Sequence, residues 1–334
     1  MKKKLIIFTH GGGRLANQMT NHAHLIAFQK EHGNLFEVVN IAFGPFSELF
    51  RDMQSRKIPQ IPHGGHRLKV FTSIVGQIVK PREYKMTFFN QVLRLIHCLF
   101  RILPFSQSIK YGRESSYLKF LPGKSLENFD FNSLDTLNLL KEKRITALAG
   151  WPIRSWELFR KHEAIIRSSF AIRNDFMRNA ESLINPLKSK YDILCGVLIR
   201  QDDYRTWAKG MYFFSTEEYV VFMKQVANSF PNQKIGFVIA SDEPQEPQKF
   251  EALNVYFTSG AALGSAHFIE SFAELSLCDY VMTPPSTFGV WAAFLGNVPI
   301  IPIYESDQDI KSANFLKNHI YDCLEHPHMS VSVS

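Results

Sequence analysis

The chain has 334 residues, 45% of them apolar and 21% charged, with 18 glycines and 16 prolines. That composition supplies core for two domains and excludes a disordered or collagen-like chain. The net charge of +7 is unevenly spread: from His66 to Ser125 eleven Lys or Arg stand against Glu83 and Glu114, so the remainder is slightly acidic and only this segment points to a polyanionic neighbour.

The first sixty residues read as a strand (Leu5 to His10), a helix (Leu15 to Glu31), a strand (Leu35 to Phe43) and a short helix begun by Pro45, an opening βαβ unit. Four apolar residues after the initial lysines are too few for the roughly 7–15 of a secretory signal, and no run approaches the roughly 18 of a spanning helix. Residues 66–125 are basic and aromatic-rich and break the rhythm, and a further strand is predicted at Arg144 to Ala149. From Asp192 the alternation resumes: strand Ile193 to Ile199, helix Thr216 to Phe230, strand Ile235 to Ala240, strand Val255 to Phe257, helix Phe268 to Leu277, strand Tyr280 to Met282, helix Phe288 to Leu295 and strand Val298 to Ile303. Near-continuous apolar strands between amphipathic helices predict parallel sheets covered on both faces, and two such stretches predict two α/β domains facing one cleft. Cys98, Cys195, Cys278 and Cys323 are scattered with no C-x-x-C pair, which fits a reducing compartment and supports neither a disulfide framework nor zinc.

Polar groups cluster where strands end, the edge at which open α/β sheets bind ligands. After the first strand, Gly11, Gly13 and Ala16 satisfy the spacing of a dinucleotide turn. A dehydrogenase wants an acid near the end of the second strand, however, and there Glu37 falls early and Asn40 stands near the end, so the match is to the turn and not to NAD. Arg14, Asn17 and Gln18 then put a cation and two amides on a helix start, which favours an anion or sugar hydroxyls; solvated polar residues give the same pattern. Arg200 follows an apolar strand and is suited to a bidentate grip on a diphosphate, with a neighbouring carboxylate to orient it or act as a base; an Arg–Asp pair tying down a loop is the alternative. Adjacent Asp202 and Asp203 rarely converge on one metal, and Asp307 with Asp309 fits helix capping, so no metal site is expected. Ser286 and Thr287 begin a helix behind two prolines, a phosphate site or a plain N-cap. Asp242, ending another strand, offers a carboxylate to a guanine edge.

In order along the chain, GRLANQ (Gly13 to Gln18), GWPIRSWELF (Gly150 to Phe159), LIRQDDY (Leu198 to Tyr204) and the triplet Ser286, Thr287, Phe288 resemble the GDP-fucose-dependent fucosyltransferases, above all the bacterial α-1,2 type. Ala16 stands where that superfamily has glycine, Leu198 where it has a histidine assigned to guanine, and Gln201 where it has a second arginine. The resemblance implies a GT-B architecture: an acceptor-side Rossmann-like domain over 1–170 with a basic helical insertion at about 66–125, a nucleotide-sugar domain over 171–315, and a tail over 316–334. It implies inverting transfer of fucose to a saccharide hydroxyl without a metal, GDP-fucose being substrate and no cofactor being required. On that reading the donor is held by Gly12, Gly13, Arg14, Arg200, Asp242, Ser286, Thr287 and Phe288. Asn17, Gln18 and Tyr204 lie on the acceptor side, and Arg200, Asp203 and Asn17 carry catalysis, with Asp203 the general base. Departures at Leu198 and Gln201 keep open a non-catalytic sugar-binding protein on the same scaffold, or another nucleotide sugar.

The stretch Thr87 to Phe105 is apolar nearly all round, with Arg94, His97 and Arg101 expected on one polar face. That is the pattern of an interfacial membrane helix or of a buried helix with one wet edge. The first reading places the protein on the cytoplasmic face of a membrane, with a lipid-linked saccharide as acceptor. Nucleic acid is not expected, because the aromatics are not interleaved with the cations.

Overall fold

The computed structural model describes residues 2–10, 13–53, 86–111, 124–126, 130–151, 154–260, 264–311, 315 and 320. The chain forms two compact units, Met1–Ala171 and Ile172–Ser334. Each is built on a five-stranded parallel sheet.

In the first unit β1 (Lys4–His10), α1 (Leu15–His32) and β2 (Phe36–Asn40) open the fold. Then come α2 (Met86–Ile102), β3 (Ser106–Tyr111), β4 (Lys124–Leu126), α3 (Leu134–Glu142), β5 (Ile145–Gly150), α4 (Trp156–Lys161) and α5 (Glu163–Ser169). The strand order is β2-β1-β5-β3-β4. Ile6, Ile7 and Phe8 on β1 and Ala147, Leu148 and Ala149 on β5 are buried, as a sheet covered on both faces requires. The second strand stops three residues short of its expected end because the Asn40 side chain accepts the Phe43 N–H at 3.1 Å and turns the chain into a 3₁₀ segment. Residues 86–111, expected to interrupt the α/β rhythm, continue it: β3 pairs with β5 from Ser106↔Ile145 to Tyr111↔Gly150. Residues 66–85 lie outside the described residues.

In the second unit α6 (Asn174–Lys188) precedes β6 (Ile193–Ile199), α7 (Thr216–Asn228), β7 (Ile235–Ser241) and β8 (Val255–Phe257). It ends with α8 (Phe268–Ser276), β9 (Tyr280–Thr283), α9 (Thr287–Gly296) and β10 (Ile300–Pro302), in the order β10-β9-β6-β7-β8. Every residue of β6 is buried. One of its faces packs Val197 and Ile199 among Phe222, Met223 and Ile239. Truncating Phe222 to alanine there costs about 3–5 kcal/mol. Helix α7 starts at a capping box, with the Glu218 N–H on Ser215 Oγ (3.2 Å) and the Ser215 N–H on Glu218 Oε2 (2.7 Å), which stabilises the start by roughly 1 kcal/mol. Helix α6 carries weak sequence signals, since its N-cap Arg173 makes no side-chain cap bond and Pro186 lies inside it, yet Ala180, Ile184 and Leu187 bury one stripe. Most of the expected tail over 316–334 lies outside the described residues.

Candidate active site at the carboxyl sheet edges

In the second unit the chain runs from β6 outward to β7 and β8, then returns to place β9 on the other side of β6. That reversal makes the carboxyl ends of β6 and β9 the switch point, where open α/β sheets bind ligands. Arg200 leaves β6 there, and the Thr283-Pro284-Pro285-Ser286 turn leaves β9 beside it.

Arg200 is held from several sides. Its backbone N–H donates to the buried Tyr219 hydroxyl (3.2 Å), and its guanidinium Nη2 donates to Asp203 Oδ1 (2.5 Å). Nε lies 3.2 Å from Asp242 Oδ2, at ion-pair distance but off hydrogen-bond alignment. The guanidinium sits 5.0 Å from the centre of the Tyr204 ring. Tyr204 is buried, donates its hydroxyl to the Pro285 carbonyl and interacts with the Ser286 side chain. Burial pushes its phenol up to about 12, with Arg200 opposing the shift, so it stays a neutral donor. One phenol thus ties the cation of β6 to the helix start of β9.

At that start Ser286 is buried, and its side chain makes no cap bond to α9, so the simple N-cap reading does not hold. The first-turn N–H groups of a helix have no intrahelical partner and carry its positive pole. Helix α9 approaches β9 so closely that a Cβ on Gly289 would meet Thr283 Oγ1 at 2.5 Å. Thr287 and Phe288 are half-buried in the same turn, with Phe288 edge-on to Phe272 of α8.

Three sequence expectations change here. The carboxylate of Asp242, expected to face a base, accepts the Gln201 N–H (2.9 Å) through one oxygen and turns the other to Arg200. Tyr204, placed on the acceptor side, is a buried strut. Asp202 and Asp203 do converge with Asp242, their oxygens within 4.8 Å of one another, and Arg200 binds two of the three. Gln201, where the superfamily has arginine, is buried with Nε2 on the Phe214 carbonyl (3.0 Å) and Oε1 receiving Gln245 Nε2 (2.8 Å), so it braces the loop. Leu198 is buried in β6. Sequence reasoning missed Trp207, which is partly exposed and packs on Tyr204 and Tyr212. The following Ala208, Lys209 and Gly210 are all left-handed, at φ 50°, 59° and 80°; strain of this kind clusters at functional sites. The single glycine was the only cue in the sequence.

In the first unit the reversal lies between β1 and β5, so GRLANQ and GWPIRSW leave adjacent strands at one edge. Gly13 has φ +75°, and a Cβ on it would lie 2.2 Å from Asn17 Nδ2: the Asn17 side chain folds back over the glycine. Arg14 is exposed, Asn17 half-buried and Gln18 buried. Gly11 and Gly12 lie outside the described residues. His24, about two helical turns past Asn17 in α1, accepts the Ser155 N–H at Nδ1 (3.1 Å) and so ties the two motifs together. Asn40 is committed to His22 and the Phe43 N–H, which leaves no group at the end of β2 to read a dinucleotide ribose.

Two Rossmann-like parallel-sheet units, one with a guanidinium beside a helix start at its switch point, have the architecture of the GT-B class. The glycosyl transferase family 11 model matches residues 140–322, more than half of the chain, and the chain belongs to that family. No curated protein matches the sequence. Among solved structures, an Arabidopsis thaliana FUT1 mutant in complex with GDP is 10% identical, with a TM-score of 0.51 over 92% of this chain and 72% of that one. The NodZ alpha-1,6-fucosyltransferase soaked with GDP-fucose is 14% identical (TM-score 0.49, 95% and 100% covered). POFUT1 in complex with GDP is 12% identical (TM-score 0.45, 88% and 94% covered). Among the described residues no helix is long and apolar enough to cross a membrane.

Proposed function

We propose that the protein transfers fucose from GDP-fucose to a hydroxyl of a saccharide, inverting the anomeric centre and forming an α-1,2 linkage. The observation that carries this reading is the Arg200–Tyr204–Ser286 arrangement at the β6/β9 switch point. A guanidinium and a helix start side by side suit the two charges of a departing diphosphate, and stabilising those charges is where such a site accelerates the reaction. Donor binding belongs to the second unit. The Gly13 turn with Arg14, Asn17 and Gln18 belongs to the acceptor side in the first.

In this mechanism Arg200, pre-oriented by Asp242 and Tyr204, neutralises the β-phosphate as the glycosidic bond breaks, and no metal is required. Asp203 is the proposed base that removes the proton of the acceptor hydroxyl. It is the more exposed of the two carboxylates on Arg200, 47% against 11% for Asp242, and is free to exchange the guanidinium for the incoming hydroxyl as the diphosphate takes Arg200. A lipid-linked acceptor, with the protein held peripherally on the cytoplasmic membrane face through residues 87–105, completes the reading.

The test is a thermal-shift comparison of GDP, GDP-fucose and UDP, joined to an assay of GDP release. A ligand that binds only the folded state at about 100 times its Kd adds roughly 2.7 kcal/mol of stability. Stabilisation by GDP and not UDP, with acceptor-dependent GDP release, is expected. Equal stabilisation by UDP overturns the donor assignment.

A further inference from the structure

Helix α2 turns a different face to the sheet from the one its charges indicate. Leu93, His97 and Phe100, at i, i+4 and i+7, are buried, and His97 Nδ1 pairs with Thr9 Oγ1 of β1 at 2.9 Å. A hydroxyl inside the unit lets the histidine be buried, so Arg94, His97 and Arg101 do not form the expected wet face: Arg94 is half-buried and Arg101 exposed. The side left outward is apolar instead. Leu95 is 62%, Leu99 52% and Ile102 78% exposed, and Leu103 and Phe105 extend the ridge past the helix end at 38% and 47%.

The surroundings of the ridge are cationic. Residues 86–111 contain Arg94, Arg101 and Lys110 and no Asp or Glu. The end of the ridge abuts the α3–β5 turn: Lys143 Nζ donates to the Pro104 carbonyl (3.4 Å) and the Arg144 N–H to the Phe105 carbonyl (3.0 Å). Lys141, Lys143 and Arg144 are exposed there, with Glu142 the one acid of that turn. Phe105 and Arg144 precede β3 and β5, which places this end at the amino edge of the sheet, away from the carboxyl edge that carries GRLANQ.

We infer that this ridge and its cationic rim dock on an anionic lipid surface, with Leu95, Leu99, Ile102 and Phe105 entering the interface and Arg101, Lys143 and Arg144 meeting headgroup phosphates. Aliphatic and aromatic side chains that stand outward beside lysine and arginine are the composition that binds at a headgroup boundary. A second copy of this chain would bring the same unbalanced cations face to face, which the charge disfavours. The inference rests on the peripheral-contact part of the proposed function and names its side chains and lipid class.

The test is co-sedimentation of the full-length protein with phosphatidylcholine vesicles, with and without phosphatidylglycerol. Binding is expected only with phosphatidylglycerol, to be reversed by high salt, and to weaken by about tenfold or more in Leu99→Glu and in Ile102→Glu. Lys143→Glu with Arg144→Glu is expected to weaken it comparably while leaving the apolar ridge intact. These side chains are exposed, so an unchanged melting temperature shows that the variants fold. Wild-type protein that ignores anionic vesicles, variants that bind like wild type, or a dimer abolished by Leu99→Glu without vesicle binding each overturn the inference. GDP release with a soluble acceptor is read separately, so loss of transfer with vesicle binding intact counts against the enzymatic reading alone.

Discussion

Replacing Arg200 tests the site most directly. The guanidinium is only 15% exposed and faces two carboxylates, Asp203 at 2.5 Å and Asp242 at 3.2 Å. With arginine present the three groups carry one net negative charge; with alanine, two. A diphosphate then meets a more repulsive edge and also loses its fork of charge-assisted hydrogen bonds, each contributing about 1.5–3 kcal/mol. Two such bonds, partly offset by water, give an expected fall in kcat/KM for GDP-fucose of about 10²–10³-fold, the range for removing one preorganised donor at a developing oxyanion. Arg200→Lys restores the charge without the planar fork and is expected to recover part of the loss, remaining about tenfold or more below wild type. Initial rates of GDP release against donor concentration read both numbers. If Arg200→Ala stays within about threefold of wild type, the guanidinium does not hold the leaving group and the reasoning fails.

Asp203→Asn removes the carboxylate that competes with diphosphate for Arg200. It is expected to tighten GDP binding by about three- to fivefold, as suits a half-exposed ion pair, while lowering turnover; calorimetry and kcat read the two effects, and unchanged affinity counts against the exchange. Tyr204→Phe keeps the ring over Arg200 and deletes the bond to Pro285, so about 1 kcal/mol of stability and about tenfold in donor kcat/KM should go together; a loss of stability alone makes the phenol merely structural. Gly13→Ala combines a left-handed backbone with a Cβ 2.2 Å from Asn17 Nδ2, so roughly 1–3 kcal/mol of destabilisation is expected in denaturant titration, against none if the turn rearranges freely. Burial lowers His22 to about 3 and, with Arg154 adding to burial, holds His24 well below its usual value. Both are neutral when folded and protonate below about 6.5 when unfolded, so their stabilisation is complete above that pH and is lost below it, at about 1.4 kcal/mol per pH unit per histidine. The urea midpoint should therefore fall between about pH 7.5 and pH 5.5, and a constant midpoint contradicts neutral burial.

Local pattern made the parallel strands readable. β6 is a seven-residue run, apolar apart from Gly196 and followed by Arg200, β1 is an apolar run ended by the Gly13 turn, and periodicity with turn chemistry locates both without a neighbour. The four ordered motifs likewise named the edges where ligand groups gather, because a strand exit and the helix after it are contiguous in sequence. Direction and commitment of side chains were decided only by tertiary packing. Nothing near Asp242 in the chain reveals that the Gln201 N–H and Arg200 will claim its oxygens, since those partners lie 41 and 42 residues away on a neighbouring strand exit. Tyr204 becomes a strut only because β9 returns beside β6 and brings Pro285 to its hydroxyl. The face that α2 buries followed the hydroxyl of Thr9, 88 residues earlier, and not the count of charges on the helix. A side chain's chemistry is written in the sequence, whereas the partner that satisfies or frees it depends on which strands the topology sets side by side.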